Sequence, residues 1–311
     1  MSIRPVKEEL SAKPTIEGAG VHLHRAFGFG DTDLTDPFLL FDDFRNDEPD
    51  KYLKGFPWHP HRGIETITYI LSGEVEHGDS LGNKGVLKDG DIQWMTAGSG
   101  IIHQEMPRGD SAGRMHGFQL WSNLPAAKKM IQPRYQDIPS VEIPEAGEDD
   151  GTRARIICGT LWGKTGPVEE IASNPGYFDI SVPPRITRTI KTGIGKNAFA
   201  YVFAGSGWFR NSSEPFPALT EYVDNEGTTE AVPAHPSENR TLVLFDSGDE
   251  IKVTAGDEGI RFLLVCGEPL KEPVAWQGPI VMNTRQELYK AFEEYRNGSF
   301  LKHQNPDFRK F

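Results

Sequence analysis

Cysteine is almost missing from this chain: Cys158 and Cys266 are the only two in 311 residues, far apart and without a CxxC. That excludes a disulfide framework and a closed thiolate zinc site, and it fits a reducing compartment. Long apolar runs are missing too. No stretch approaches the length of a membrane span, and the opening MSIRPVKEEL has no apolar h-region. The expectation is therefore an unsecreted protein, cytoplasmic or also nuclear, in which the N-x-S/T strings at Asn211, Asn239 and Asn297 are accidental. Positive charge is in deficit, with 33 Lys and Arg against 45 Asp and Glu and a formal net charge of −12. Such a balance disfavours direct contact with nucleic acid or an anionic membrane face through bulk electrostatics.

Against these absences stand two pairs of donors spaced i,i+2, His59-Pro-His61 and His103-Gln-Glu105. Strand side chains alternate faces, so each pair offers two donors to one side of a sheet. Two such strands brought together converge three imidazoles and one carboxylate. That set suits one divalent first-row transition ion with coordination positions left open. The context is β: Ile64–Val75 is rich in β-branched and aromatic residues, and turn signals recur at Ser72-Gly73, Asp79–Gly85, Asp89-Gly90 and Gly98–Gly100. Short strands at this spacing predict an antiparallel barrel or sandwich.

The pattern HxH, then Glu65, then Gly73 resembles the first cupin motif, and a Gly-rich turn before His103 resembles the second. The strings HPHRGIET, GDIQWMTAGSGIIHQE, HGFQLWSNLP and GPIVMNTRQEL are similar to the pirin family of bicupins. The resemblance spans most of the chain. It implies an all-β protein with two cupin-type antiparallel β-barrel (jelly-roll) domains in tandem and a short C-terminal α-helix. It also implies metal ligation by His59, His61, His103 and Glu105, the four that spacing selects. Fe(II) leads as the ion, with manganese, nickel, cobalt and copper open because ligand type alone does not choose among them. Glu65 is expected to orient one of the imidazoles from behind rather than to ligate.

An internal echo supports the duplication. YILSG at Tyr69–Gly73 recurs as YVFAG at Tyr201–Gly205, and GDIQWMTAG from Gly90 recurs as GDEIKVTAG from Gly248. The extra residues between the echoes fall around Asn211–Arg240, and the polar, Pro-rich stretch at Pro139–Gly151 reads as the seam. The expected domains are residues 1–142, metal-binding, and 143–311, cupin-like without ligands. The echoes map His59 and His61 to Lys191 and Gly193, and His103 and Glu105 to Arg261 and Leu263. Thr284-Arg-Gln-Glu287 is a capping box, and Leu288, Ala291, Phe292 and Tyr295 give a helical stripe ending at Asn297-Gly298.

The remaining histidines read as structural. His22 and His24 lie on a surface strand, His116 packs or bonds to backbone, and His77 and His235 are exposed. Trp94, Met95 and Phe56 read as core residues, any of which also suits a pocket wall.

Three functions stay open at this point. The resemblance implies a quercetin 2,3-dioxygenase-type enzyme that takes a flavonol-like substrate and O2, releases carbon monoxide and uses Glu105 as general base. As the alternative it implies an iron-dependent, redox-sensitive transcriptional co-regulator acting through a transcription-factor protein partner. A metal required only for folding is the third. With the duplication satisfied inside one chain, a monomer is expected.

Overall fold

A computed structural model describes residues 2–209, 219–223, 229–233 and 235–308. Strands dominate, as period-two patterning predicts, and every named strand pairing is antiparallel. Much of the insertion around Asn211–Arg240, Asn211 included, lies outside the described residues. Among the described residues no helix is long and apolar enough to cross a membrane.

The first half folds as two sheets. A seven-stranded sheet runs Arg134–Ile138, Ile92–Thr96, Ile64–Ser72, His116–Asn123, Phe38–Asp43, Val21–Phe27, Lys13–Glu17. A four-stranded sheet runs Phe56–His61, Ile101–Arg108, Glu74–Asp79, Lys84–Leu87. Gly73, at φ +92°, makes the corner between them; a Cβ there would meet the Arg108 carbonyl at 2.8 Å. The second half supplies eight strands of a nine-stranded sheet dominated by two long strands, Asn197–Phe209 and Glu250–Gly267. Register shifts after Val202 and Gly205 bend the first of these where the first half uses separate strands.

The large sheets pack face to face, and alternation decides which side chains meet. Ile67, Tyr69, Trp94 and Phe118 of the first half join Phe199, Tyr201, Leu242 and Leu263 of the second in one buried cluster. Two polar ties cross this seam. The Tyr69 hydroxyl donates to Asp179 Oδ2 at 2.7 Å, and the Tyr201 hydroxyl donates to Asp43 Oδ2 at 2.8 Å. Arg261 grips Asp179 with two nitrogens and Arg45 grips Asp43 likewise, so each buried carboxylate is paired.

Strand pairing also gives the true correspondence between halves. Tyr69 faces Ile92 and Phe118; Tyr201 faces Leu242 and Leu263. Ile92 therefore matches Leu242. With equal spacing onward, Ile101 matches Ile251, and His103 matches Val253. Across from them, His59 matches Arg188 and His61 matches Ile190, while Glu105 falls on Ala255. The expected counterparts Lys191, Gly193, Arg261 and Leu263 are thus corrected. The repeated Gly-Asp turn misled the string match, because such a turn recurs between many strands of a barrel.

The ends of the chain are exchanged. Val6–Ser11 pairs with Thr241–Phe245 in the second half, anchored by the buried Arg4, which donates to Thr192 Oγ1 and to the carbonyls of Asp246, Gly193 and Lys196. Conversely the hairpin Ala275–Gln277/Ile280–Met282 and the helix Arg285–Asn297 return to the first half. The helix has its capping box, with Thr284 Oγ1 accepting from Glu287 N, and a left-handed stop at Gly298. Its Leu288 and Ala291 pack with Ile102, Ile280 and Phe300.

Candidate metal centre

Phe56–His61 and Ile101–Arg108 lie side by side, with His59 directly opposite His103. The Nε2 atoms of His61 and of His103 each lie 3.0 Å from His59 Nε2, and the three ligand atoms all fall within 4.8 Å of one another. The opposite ring nitrogens decide what this means. His59 Nδ1 lies 2.9 Å from the Pro57 carbonyl and His61 Nδ1 lies 3.2 Å from the Pro279 carbonyl. A carbonyl only accepts, so both Nδ1 atoms carry a proton, and Nε2 is the atom of each ring left to serve as a ligand. Burial holds His61 and His103 well below the usual imidazole range, reinforced by the neighbouring rings, so they are neutral. Lone pairs 3.0 Å apart repel unless a cation lies between them. The donor set fits a divalent first-row ion, which His59, His61 and His103 are placed to hold.

Glu105 lies on the same wall but outside the imidazole cluster, after a register shift that follows His103. Its carboxylate accepts from Gln119 Nε2 at 3.1 and 3.3 Å and from Thr68 Oγ1 at 3.3 Å. Gln119 is itself oriented, since Trp121 Nε1 donates to its Oε1 at 3.0 Å. So three of the four expected residues converge, and the fourth stands beside them in a prepared cradle.

Glu65 does not stand behind an imidazole. It accepts from Thr96 Oγ1 at 2.8 Å on the face that packs against the second half, the face of Ile67 rather than Thr68. Gly63, at φ +78°, breaks the alternation between His61 and Glu65, so parity does not carry through. His77 is also corrected: it is buried, stacked on Tyr135 with centroids 5.9 Å apart. His22 and His235 are exposed, as read from sequence. His24 accepts from Arg240 at 3.3 Å, and His116 Nε2 lies 2.6 Å from Asp47, a side chain rather than backbone. Trp94 and Met95 are core; Phe56 is half-buried and forms part of the cleft wall.

His59 and His61 open into a cleft of about 580 Å³, within the range of small-molecule sites. Trp121 stands edge-on to His61 with centroids 5.0 Å apart, Trp276 lies 6.0 Å from Trp121, and the exposed Phe29 closes the row 5.5 Å from Trp276. Trp276 and the Pro279 carbonyl come from the returning hairpin. That hairpin is pinned by Lys129, whose buried Nζ donates to Gly63 O, Asn123 Oδ1 and Val281 O at 2.7–3.0 Å. Burial pushes this ammonium down to about 7. Arg62, next to His61, reaches the helix through Glu294 at 2.8 Å and the Phe300 carbonyl at 2.7 Å. Gln119 and Trp121 were findable in HGFQLW, where they alternate on one strand face; Trp276 and Pro279 are too distant in sequence for spacing to reveal them.

Two cupin barrels in one chain, one of them carrying a histidine cluster at the mouth of an aromatic cleft, define a bicupin. The chain belongs to the pirin family: the pirin profile matches residues 20–122 and the pirin C-terminal cupin domain matches residues 177–301. It is 40% identical over 301 residues to a pirin-like protein of Caulobacter vibrioides, covering 96% of this chain and 100% of that one. It is 35% identical to pirin of Homo sapiens, covering 95% and 93%. Among solved structures it is similar to a quercetin 2,3-dioxygenase from Acinetobacter baumannii, with a TM-score of 0.81 and 29% identity, covering 96% of this chain and 99% of that one.

Proposed function

We propose that the protein is a metal-dependent dioxygenase of the quercetin 2,3-dioxygenase type, acting on a flat, hydroxylated aromatic substrate of the flavonol class. The observation that carries this reading is the convergence of three imidazoles, His59, His61 and His103, with their Nε2 atoms turned to one point beside a row of aromatic side chains. The similarity to a named quercetin 2,3-dioxygenase over nearly the whole chain supports it. His59, His61, His103 and Glu105 would hold the ion, with Fe(II) first among the candidates. Bound there, the ion supplies Lewis acidity toward the substrate hydroxyl and redox access to dioxygen.

The residues of the chain do the rest. Trp121, Trp276 and Phe29 offer faces and edges to a planar ring system. Glu105 accepts the proton of the flavonol 3-hydroxyl, acting as general base. Gln119 and Thr68 hold its carboxylate in place before and after that transfer. Loss of the substrate proton makes the ring electron-rich toward dioxygen. In the overall change both oxygen atoms enter the organic product and C3 leaves as carbon monoxide.

The test is anaerobic reconstitution with Fe(II), then quercetin and air, with flavonol absorbance and carbon monoxide recorded together. Iron-dependent carbon monoxide that disappears in His59→Ala is the expected result. Iron-loaded protein without turnover would end this reading and leave the partner-binding one in the lead.

A further inference from the structure

Behind Glu105 the first barrel contains a second, smaller space. Val21, Leu23, Tyr52, Val75 and Met115 line it, all at most 4% exposed, and about 30 Å³ of it admits the centre of a water-sized sphere. It shares Asp42, Phe56, Glu105 and Gln119 with the aromatic cleft, so the two spaces adjoin at these four side chains. A flavonol is far too large for it.

Water is poorly served there, since an enclosed water needs two to four polar partners. The side-chain polar atoms that line it gather at that shared edge and at the Tyr52 hydroxyl, and each already has a partner within the protein. Glu105 accepts from Gln119 and Thr68, and Asp42 accepts two hydrogen bonds from Arg25 at 2.8 Å. The Tyr52 hydroxyl donates to the Gly113 carbonyl at 2.9 Å. The rest of the wall is hydrocarbon and thioether. Such a chamber favours a small apolar occupant over water.

We propose that this chamber is a binding site for molecular oxygen, held next to Glu105 before it meets the substrate. The inference rests on the dioxygenase reading for its biological sense, but oxygen occupancy is measurable without turnover. Dioxygen is paramagnetic and speeds relaxation of nearby methyl groups. The full chain, supplied with Zn(II) so that neither turnover nor a paramagnetic ion contributes, is labelled at its methionine methyls and compared under oxygen and nitrogen. Met115 lines the chamber, while Met95 is equally inaccessible at 0% exposure but belongs to another cluster.

The expected result is oxygen-induced relaxation several-fold larger at Met115 than at Met95. Equal rates would overturn the proposal. Val75→Phe, or Val21→Leu should the first variant not fold, fills the space and removes the Met115 excess. In the iron-loaded enzyme the filled variant is expected to raise KM for oxygen several-fold with KM for the flavonol unchanged. An unchanged KM for oxygen in a variant that has lost the excess would also overturn it. A Met115 excess in a wild-type protein that never oxidises a flavonol would sustain the gas site and end the dioxygenase reading instead.

Discussion

The buried side chains inside the second barrel include Ile156, Ile180, Ile190, Val202, Val253 and Phe262; the first buries Thr68, His77, Gln93, His103 and Glu105 beside its own apolar residues. At matched positions the contrast is sharper still, with Ile190 for His61, Val253 for His103 and Ala255 for Glu105. Each fully buried aliphatic side chain contributes about 1.5–3 kcal/mol, whereas buried polar groups contribute little net and cost heavily when a partner is lost. One barrel therefore supplies stability that the other forgoes in order to hold a site. The seam is where that stability is shared, through a common apolar cluster and two equivalent Tyr–Asp ties.

The largest effect is expected where the barrels differ most. His61→Ala should drop bound metal from about one ion per chain to background, by elemental analysis, with the circular dichroism of the fold retained. Ile190→Val, the matched change in the second barrel, should leave metal content untouched. Glu65→Gln should leave it untouched as well, unlike Glu105→Gln.

Next come the seam carboxylates. Asp179→Ala removes the partner of the buried Tyr69 hydroxyl and of the part-exposed Arg261 guanidinium, and a loss of about 1–3 kcal/mol is expected from chemical denaturation. Asp43→Ala should cost a similar amount through Arg45 and Tyr201. A large inequality would show that the halves do not share the seam evenly.

Lys129 gives a smaller, pH-dependent effect. Its folded value of about 7 lies below the ordinary lysine value of about 10.4, so between these the unfolded chain binds the extra proton. Stability from this group should rise with pH across that window and flatten above it. In Lys129→Met that slope should vanish between urea melts at pH 7 and pH 9. The smallest effect is Thr284→Ala at the helix N-cap, about 1 kcal/mol by thermal or urea unfolding.

Sequence reading reached furthest where the chemistry is local. The i,i+2 histidines, the Gly-rich turns and the capping box at Thr284 are short-range patterns, and strand alternation turns them into geometry. It stopped where backbone irregularity intervenes. Gly63 reverses the side to which Glu65 points, and the bulge between His103 and Glu105 moves the carboxylate off the imidazole cluster. His77 follows a hairpin turn yet faces inward, because the strand Glu74–Asp79 alternates with Val75 in the core. The similar Gly-Asp turns disguised the true alignment of the halves. Residues such as Pro279 and Lys129 matter through contacts between distant segments, which no spacing rule contains.

The returning hairpin has a consequence for the order in which the protein is made. His61 takes its Nδ1 acceptor from Pro279, and the cleft takes a wall from Trp276, both of which are synthesised long after the strand that carries the histidine. While the ribosome is still reading the second barrel, the first has its histidines but not the carbonyl that orients one of them. Completion of the cluster's surroundings is thus deferred to the last stretch of translation, and a chain released before the hairpin is made would carry its three imidazoles without the Pro279 acceptor or the Trp276 wall.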